Sequence, residues 1–270
     1  KEYAGFNTRS TSPTKVSPTK WPQLSGLADQ RVYHLSQDPA GRTWIGMRDA
    51  LSYVKDGRVQ AINDRYFPFR KIRHIRWSNS SVMWVSTYDH GLIKVEYKDL
   101  YTPETWTITQ YSTQTASWPS NTVLKSIEDS DGTIWVATYS GVVEMSPDGT
   151  FHTWGLAEGL PNISVMGVIE DSQGNIWAHT FGGLAKISEQ ELVAITENNG
   201  LPSRVCYFLY EDPTNPKILW IGTNGGLIKY NLGDKTFKTI TKEEGLISNE
   251  MNLGAFYEDS KGQYWLGTVE

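Results

Sequence analysis

The chain has 270 residues, a net charge of −5 and a 39% hydrophobic share, which suits one large all-β domain or two ordinary domains and excludes a disordered chain. No basic run marks a nucleic-acid footprint, no apolar run approaches the roughly 18 residues of a membrane span, and the N-terminus has no apolar signal core. The single cysteine, Cys206, excludes an internal disulfide and a cysteine-based zinc cluster, and leaves the compartment open.

Residues 1–24 are polar, carry Pro13, Pro18 and Pro22, and read as an extended lead-in. From residue 25 to 270 one sentence is written repeatedly. Its marker tryptophans are Trp44, Trp84, Trp135, Trp177, Trp220 and Trp265, spaced by 40, 51, 42, 43 and 45 residues. The units fall near 25–64, 65–112, 113–155, 156–197 and 198–241, with an incomplete one at 242–270. Each complete unit has four short β-type runs. In the fourth they are Val165–Glu170, Asn175–Thr180, Leu184–Ile187 and Leu192–Ile195, separated by Asp171-Ser172-Gln173-Gly174, by Phe181-Gly182-Gly183 and by a short polar connection. No segment sustains a 3.6-residue apolar period, so negligible helix is expected.

Four strands in about 40–45 residues is the signature of a β-propeller blade. An isolated four-stranded sheet cannot cover both of its apolar faces, and radial packing of blades buries them. The fold class is therefore all-β, a β-propeller of four-stranded antiparallel blades. Five complete blades and a partial sixth, lacking its third and fourth strands, are expected as part of a seven-bladed ring whose chain continues. The marker tryptophan fills the gap against the next sheet. The Asp that opens each hairpin, as in Asp129-Ser130-Asp131-Gly132, accepts backbone N–H groups of its own turn.

The phrase Gly-Leu-Pro, then Glu-Asp-Ser-x-Gly-x-Ile-Trp, then a Gly turn closing on Gly-Leu resembles the two-component regulator propeller repeat. It is fullest at Gly159–Leu184 and Gly200–Leu227, and the resemblance covers roughly residues 25–270. It implies the periplasmic ectodomain of an inner-membrane hybrid histidine kinase. In that family, paired seven-bladed propellers and a β-sandwich precede one span, the kinase lies inside the cell, and oligosaccharides are the ligands. The second propeller, sandwich, span and kinase are absent from this sequence, so this region is expected to sense and not to catalyse. Self-association as a homodimer is implied for the intact sensor.

The five histidines, His34, His74, His90, His152 and His179, show no metal-ligand spacing, and there is no Gly-x-Ser-x-Gly elbow or phosphate loop, so neither metal nor cofactor is expected. His34 and His74 read as satisfied strand histidines. Propeller topology instead points to two loop sets on one face: those entering each inner strand and those following each tryptophan strand. Ligand-binding candidates there are Arg48, Asp49, Tyr88, His90, Trp118, Tyr139, Phe181, Arg204 and Asn224, joined by Asp89, Asn121, Asn162, Asn249 and Glu250. Aromatic faces and amides suit stacking on a sugar and bonding to its hydroxyls, and an arginine favours an acidic sugar. Trp118, which precedes a proline, is expected to be exposed. Two other readings are a protein-contact scaffold for dimerisation and a propeller lyase that would draw on His90, His179 and Tyr139.

Overall fold

The computed structural model of the chain describes residues 3–7, 14–16, 31–79, 81–188, 191–259 and 261–269. Among these, helix is confined to three single 3-10 turns, Pro103–Thr105, Glu197–Asn199 and Lys242–Glu244. The short β-branched and aromatic runs, punctuated by Gly and Asp turns, form six four-stranded antiparallel sheets on a propeller plan. Two strands near the N-terminus are β1 (Tyr3–Asn7) and β2 (Thr14–Val16).

The chain divides into two compact units. Residues 22–153 hold three sheets whose strands lie in chain order. They are β3 (Val32–Gln37), β4 (Thr43–Met47), β5 (Leu51–Lys55) and β6 (Arg58–Ala61); β7 (Ile72–Asn79), β8 (Val82–Thr87), β9 (Leu92–Glu96) and β10 (Thr107–Tyr111); and β11 (Val123–Glu128), β12 (Ile134–Thr138), β13 (Gly141–Met145) and β14 (Phe151–Trp154), which reaches the boundary. The first strands β3, β7 and β11 pack on one another in turn.

Residues 1–21 and 154–270 form the other unit. Its sheets are β15 (Val165–Glu170), β16 (Ile176–Thr180), β17 (Gly183–Ser188) and β18 (Glu191–Ile195); β19 (Cys206–Glu211), β20 (Ile218–Thr223), β21 (Gly226–Asn231) and β22 (Thr236–Ile240); and β23 (Met251–Glu258) with β24 (Gln263–Thr268).

This last sheet corrects the expectation of a partial sixth blade. Its third and fourth strands are β1 and β2, with Tyr3 opposite Gly267 and Asn7 opposite Gln263. The free edge of β24 offers a row of unpaired N–H and C=O groups, and the extended N-terminal residues satisfy them. Residues 3–7 and 14–16 are therefore strands and not a lead-in, and the rest of 1–30 lies outside the described residues.

One local device recurs through the sheets. The marker indole donates to the carboxylate of the hairpin Asp: Trp44 to Asp38 at 3.2 Å, Trp135 to Asp129 at 2.7 Å, Trp177 to Asp171 at 2.8 Å, Trp220 to Asp212 at 3.0 Å and Trp265 to Asp259 at 3.0 Å. The other carboxylate oxygen closes the turn. Asp171 Oδ1 accepts from the N–H groups of Gln173 at 3.0 Å and Asn175 at 2.8 Å. Where the second sheet lacks the Asp, the Ser78 hydroxyl takes the Trp84 indole at 2.9 Å. Each carboxylate thus locks its hairpin and fixes the ring that packs the core.

Two predictions follow from this device. Asp171 is buried, so Asp171→Ala strands two backbone N–H groups, the Asn175 amide and an indole, and is expected to cost about 2–4 kcal/mol in urea unfolding. A loss below about 0.5 kcal/mol would show that the turn does not depend on it. The second concerns pH. The Trp265 indole, then the Gln263 N–H, hold Asp259 below its ordinary value of 3.8. A carboxylate depressed on folding adds stability above that ordinary value and loses it as pH falls through the folded one. The stability gap between the wild type and Trp265→Phe should therefore narrow between about pH 6 and pH 3. A gap independent of pH would contradict this.

Candidate functional site

The turn after each second strand is built by a threonine three residues past the marker tryptophan. The hydroxyls of Thr87, Thr138, Thr180 and Thr223, all buried, donate to the carbonyls of Gly91, Gly141, Gly183 and Gly226 at 2.8, 2.8, 2.9 and 2.8 Å. They accept in return from the N–H groups of His90, Ser140, Gly182 and Gly225. Gly183 closes its turn at φ +128°, where a Cβ would lie 2.4 Å from the Ile195 carbonyl oxygen. The residue after each threonine is delivered in the same way: Tyr88, Tyr139, Phe181 and Asn224. In the first sheet Met47 stands in the threonine's place and Arg48 follows it.

In residues 22–153 these turns are stitched to the loops that lead into the first strands. Arg48 N–H donates to the Arg31 carbonyl at 3.2 Å, Lys71 N–H to the Arg48 carbonyl at 2.6 Å, and Tyr88 N–H to the Lys71 carbonyl at 3.0 Å. The Thr122 hydroxyl then donates to the Tyr88 carbonyl at 2.7 Å, and Tyr139 N–H to the Thr122 carbonyl at 3.2 Å. This continuous chain of hydrogen bonds, four between peptides and one from the Thr122 hydroxyl, crosses three sheets as one arc. It holds Arg48, Lys71, Tyr88 and Tyr139 on fixed backbone.

Under the arc, a β-bulge on β7 between Ile72 and His74 re-aims Arg73. Its guanidinium lies 4.3 Å from the centre of the Tyr33 ring and 4.9 Å from that of Tyr88, with Nε buried and without a hydrogen-bond partner. Tyr33 is itself the bulged residue of β3. The Tyr88 and Tyr139 rings meet edge to face at 5.9 Å. Burial, then the neighbouring Tyr88 phenol, push the Tyr139 hydroxyl above its usual range, so it is neutral and can both donate and accept.

Polar pairs flank this aromatic group. Lys71 Nζ lies 2.7 Å from Asp89 Oδ2, and His90 Nδ1 lies 2.7 Å from Asp89 Oδ1. Burial would raise Asp89, but the Lys71 hydrogen bond and the His90 and Lys71 charges outweigh it and hold the carboxylate low. Arg48 pairs with Asp49 at 3.0 Å, and Arg70 bonds both the Asp49 carbonyl and Asp64. The arrangement presents stacking faces, phenols and charged donors on rigid backbone, which is the chemistry of recognition of a polar ligand with C–H faces. Among the described residues no three His, Cys, Asp or Glu side chains are grouped to hold a metal ion, and no helix is long and apolar enough to cross a membrane.

Of the expected residues, the structure brings Arg48, Asp49, Tyr88, His90 and Tyr139 onto this arc, with Asp89. Trp118 is different: it is 2% exposed and packs between Tyr111 at 5.5 Å and Phe151 at 5.1 Å. It occupies the place of Leu160, Leu201 and Leu246 in the Gly-Leu-Pro phrases, all of them buried, and it fills the wedge between two sheets. That alignment within the repeat was the available signal. Phe181, Arg204 and Asn224 belong to the other unit, all exposed, with Asn224 Oδ1 accepting from the Ser203 hydroxyl at 2.7 Å. Asn121 accepts from Gly91 and Thr113, Asn162 caps Ser164, Asn249 caps Lys242, and Glu250 accepts from Tyr207. His179 is buried against the Cys206 carbonyl at 3.0 Å and its ring fills the space over Gly167, so it is a packing residue. Tyr33, Lys71 and Arg73 are members of the arc that loop reasoning missed.

Three segments of the chain, residues 117–140, 159–182 and 245–270, match the two-component regulator propeller family. Each runs from the loop leading into a first strand to the turn after the tryptophan strand. A histidine kinase of Formosa agariphila, P4, is 27% identical over an alignment of 245 positions that covers 83% of this chain and 17% of that protein. The extracellular domain of a hybrid two-component system of B. thetaiotaomicron superposes with a TM-score of 0.67 at 18% identity, over 90% of this chain and 39% of that chain. Virginiamycin B lyase from Staphylococcus aureus superposes at 0.68 and 14% identity, over 91% and 81%. Likenesses at these identities are of fold alone, and the chain spans less than a fifth of the curated kinase it matches.

Proposed function

We propose that this chain, whose repeats are those of the two-component regulator propeller, is the ligand-sensing ectodomain propeller of a two-component sensor histidine kinase and that its arc recognises an oligosaccharide. The observation that carries the reading is the hydrogen-bonded arc, which holds Tyr88 and Tyr139 with Arg73 stacked beneath. A sugar ring lays its C–H face on the tyrosines, while Arg73, Lys71 and the phenol hydroxyls bond its hydroxyls. The histidine kinase relative and the extracellular two-component domains of like fold support an extracytoplasmic sensor. Kinase activity, the membrane anchor and self-association belong to the intact protein in this reading. Bound ligand would act by its different affinity for two arrangements of the sensor. The likeness to the lyase is one of fold alone.

Calorimetric titration against a panel of oligosaccharides tests this. Arg73→Ala and Tyr139→Ala are each expected to weaken binding about tenfold or more, equivalent to about 1.4 kcal/mol. Binding that survives both changes moves the site elsewhere. If no glycan binds the folded chain, direct recognition by these blades is wrong.

A further inference from the structure

The first strands of residues 22–153 carry a second cluster, which the arc does not use. Strand pairing sets His34 opposite Gly46, His74 opposite Ser86 and Lys125 opposite Ala137. Three basic side chains thus hold the same register position on three successive first strands. Arg76 lies two residues further along β7, opposite Trp84. The His34 and His74 rings are 4.5 Å apart. Their cross-strand partners bear no charge, and the hydroxyls of Ser86 and Ser126 pair with each other at 3.3 Å.

Among the described residues no carboxylate pairs with these groups, and Glu128 Oε2, on the residue whose carbonyl Arg76 bonds, is itself buried without a hydrogen-bond partner. His74 Nδ1 and Arg76 Nε are buried without a hydrogen-bond partner. Arg76 Nη2 donates at 3.0 Å to the backbone carbonyl of Glu128 and not to its carboxylate. Burial, then Lys125, bring His34 down to about 4, while burial, then His34, Lys125 and Arg76, hold His74 well below its usual range. Burial, then Arg76, bring Lys125 down to about 8. Every group acting on another here is a base, with no carboxylate among them. Such clustering of like charge opposes folding unless something offsets it. His34, His74 and Lys125 each retain some accessible surface.

We infer that His34, His74, Arg76 and Lys125 seat an oxyanion, the carboxylate or sulfate of an acidic saccharide bound at the arc. On two strands an arc residue precedes a cluster residue across the bulge, Tyr33 before His34 on β3 and Arg73 before His74 on β7. The inference rests on the saccharide reading of the arc. A guanidinium and an ammonium supply the charge-assisted hydrogen bonds, and each imidazole becomes a second donor by taking up a proton. Binding is therefore linked to proton uptake and is tighter at lower pH, because the imidazoles are neutral until the anion arrives.

Three probes test it by calorimetry in two buffers of different ionisation enthalpy: galacturonate oligomers, the same oligomers after carboxyl reduction, and sodium sulfate alone. The charged oligomer is expected to bind at least about tenfold tighter than the reduced one, and about threefold tighter at pH 5.5 than at pH 7.5, with net proton uptake. Lys125→Met and His74→Gln should remove that preference and leave the reduced oligomer's affinity unchanged, while Lys125→Arg should retain it; a thermal melt of each variant establishes that it folds. Equal affinity for the two oligomers, or a preference that survives Lys125→Met, overturns the inference and leaves the arc reading standing. Sulfate binding with proton uptake, without any saccharide binding, would keep the anion seat and sink the saccharide reading. If none of the three probes binds, the inference falls, and the arc reading is decided by the wider oligosaccharide panel.

Discussion

The structure depends on a carboxylate that does two things at once. In five of the six sheets an aspartate closes the hairpin between the first two strands with one oxygen and holds the indole of the second strand with the other. An indole N–H buried without a partner costs more than the bond itself contributes, so the tryptophan can fill the gap between sheets only where this acceptor stands ready. The turn, the ring and the packing of one sheet on the next are therefore set by one residue. Ser78 shows the requirement from the other side: where the aspartate is lost, a hydroxyl supplies the acceptor at the same place.

At the other end of the second strand a buried threonine does comparable work. It bonds the turn on both sides, so that the residue after it varies in chemistry while its backbone position does not. Recognition loops on a scaffold are effective when ordering them costs nothing at binding. The arc from Arg31 to Tyr139 meets that condition with hydrogen bonds running from sheet to sheet. The bulged first strands add what loops alone would lack, an arginine beneath two tyrosines. On the same strands, His34, His74 and Lys125 stand at the register position where the sheets of residues 154–270 place Gly167, over His179, or the ring of Phe208.

Much of this was legible in the sequence. The spacing of the marker tryptophans and the four runs per unit give the sheets because each unit repeats the same local rules. The aspartate and the tryptophan were each read correctly in part, as turn former and as packing residue. Their bond was not, because an acceptor and a donor six or eight residues apart meet only once the hairpin exists. Trp118 looked like an exposed loop residue from its proline neighbour, yet it sits where other units place a buried leucine. β1 and β2 carry no marker phrase, and only pairing with β24 makes strands of a Thr- and Lys-rich stretch. Arg73 and Tyr33 were hidden for a different reason: a bulge changes the direction of one side chain without changing the apolar pattern around it.

The most direct test of recognition on the arc is hydrogen–deuterium exchange of the chain with and without the saccharide that binds it. Ligand held by the arc would slow exchange of the amides at 71–73, 88–91 and 139–141, whose backbone forms it, and leave the outer strands β6 and β10 unchanged. Protection confined to the outer strands, or to residues 154–270, would contradict the account and assign recognition to another surface.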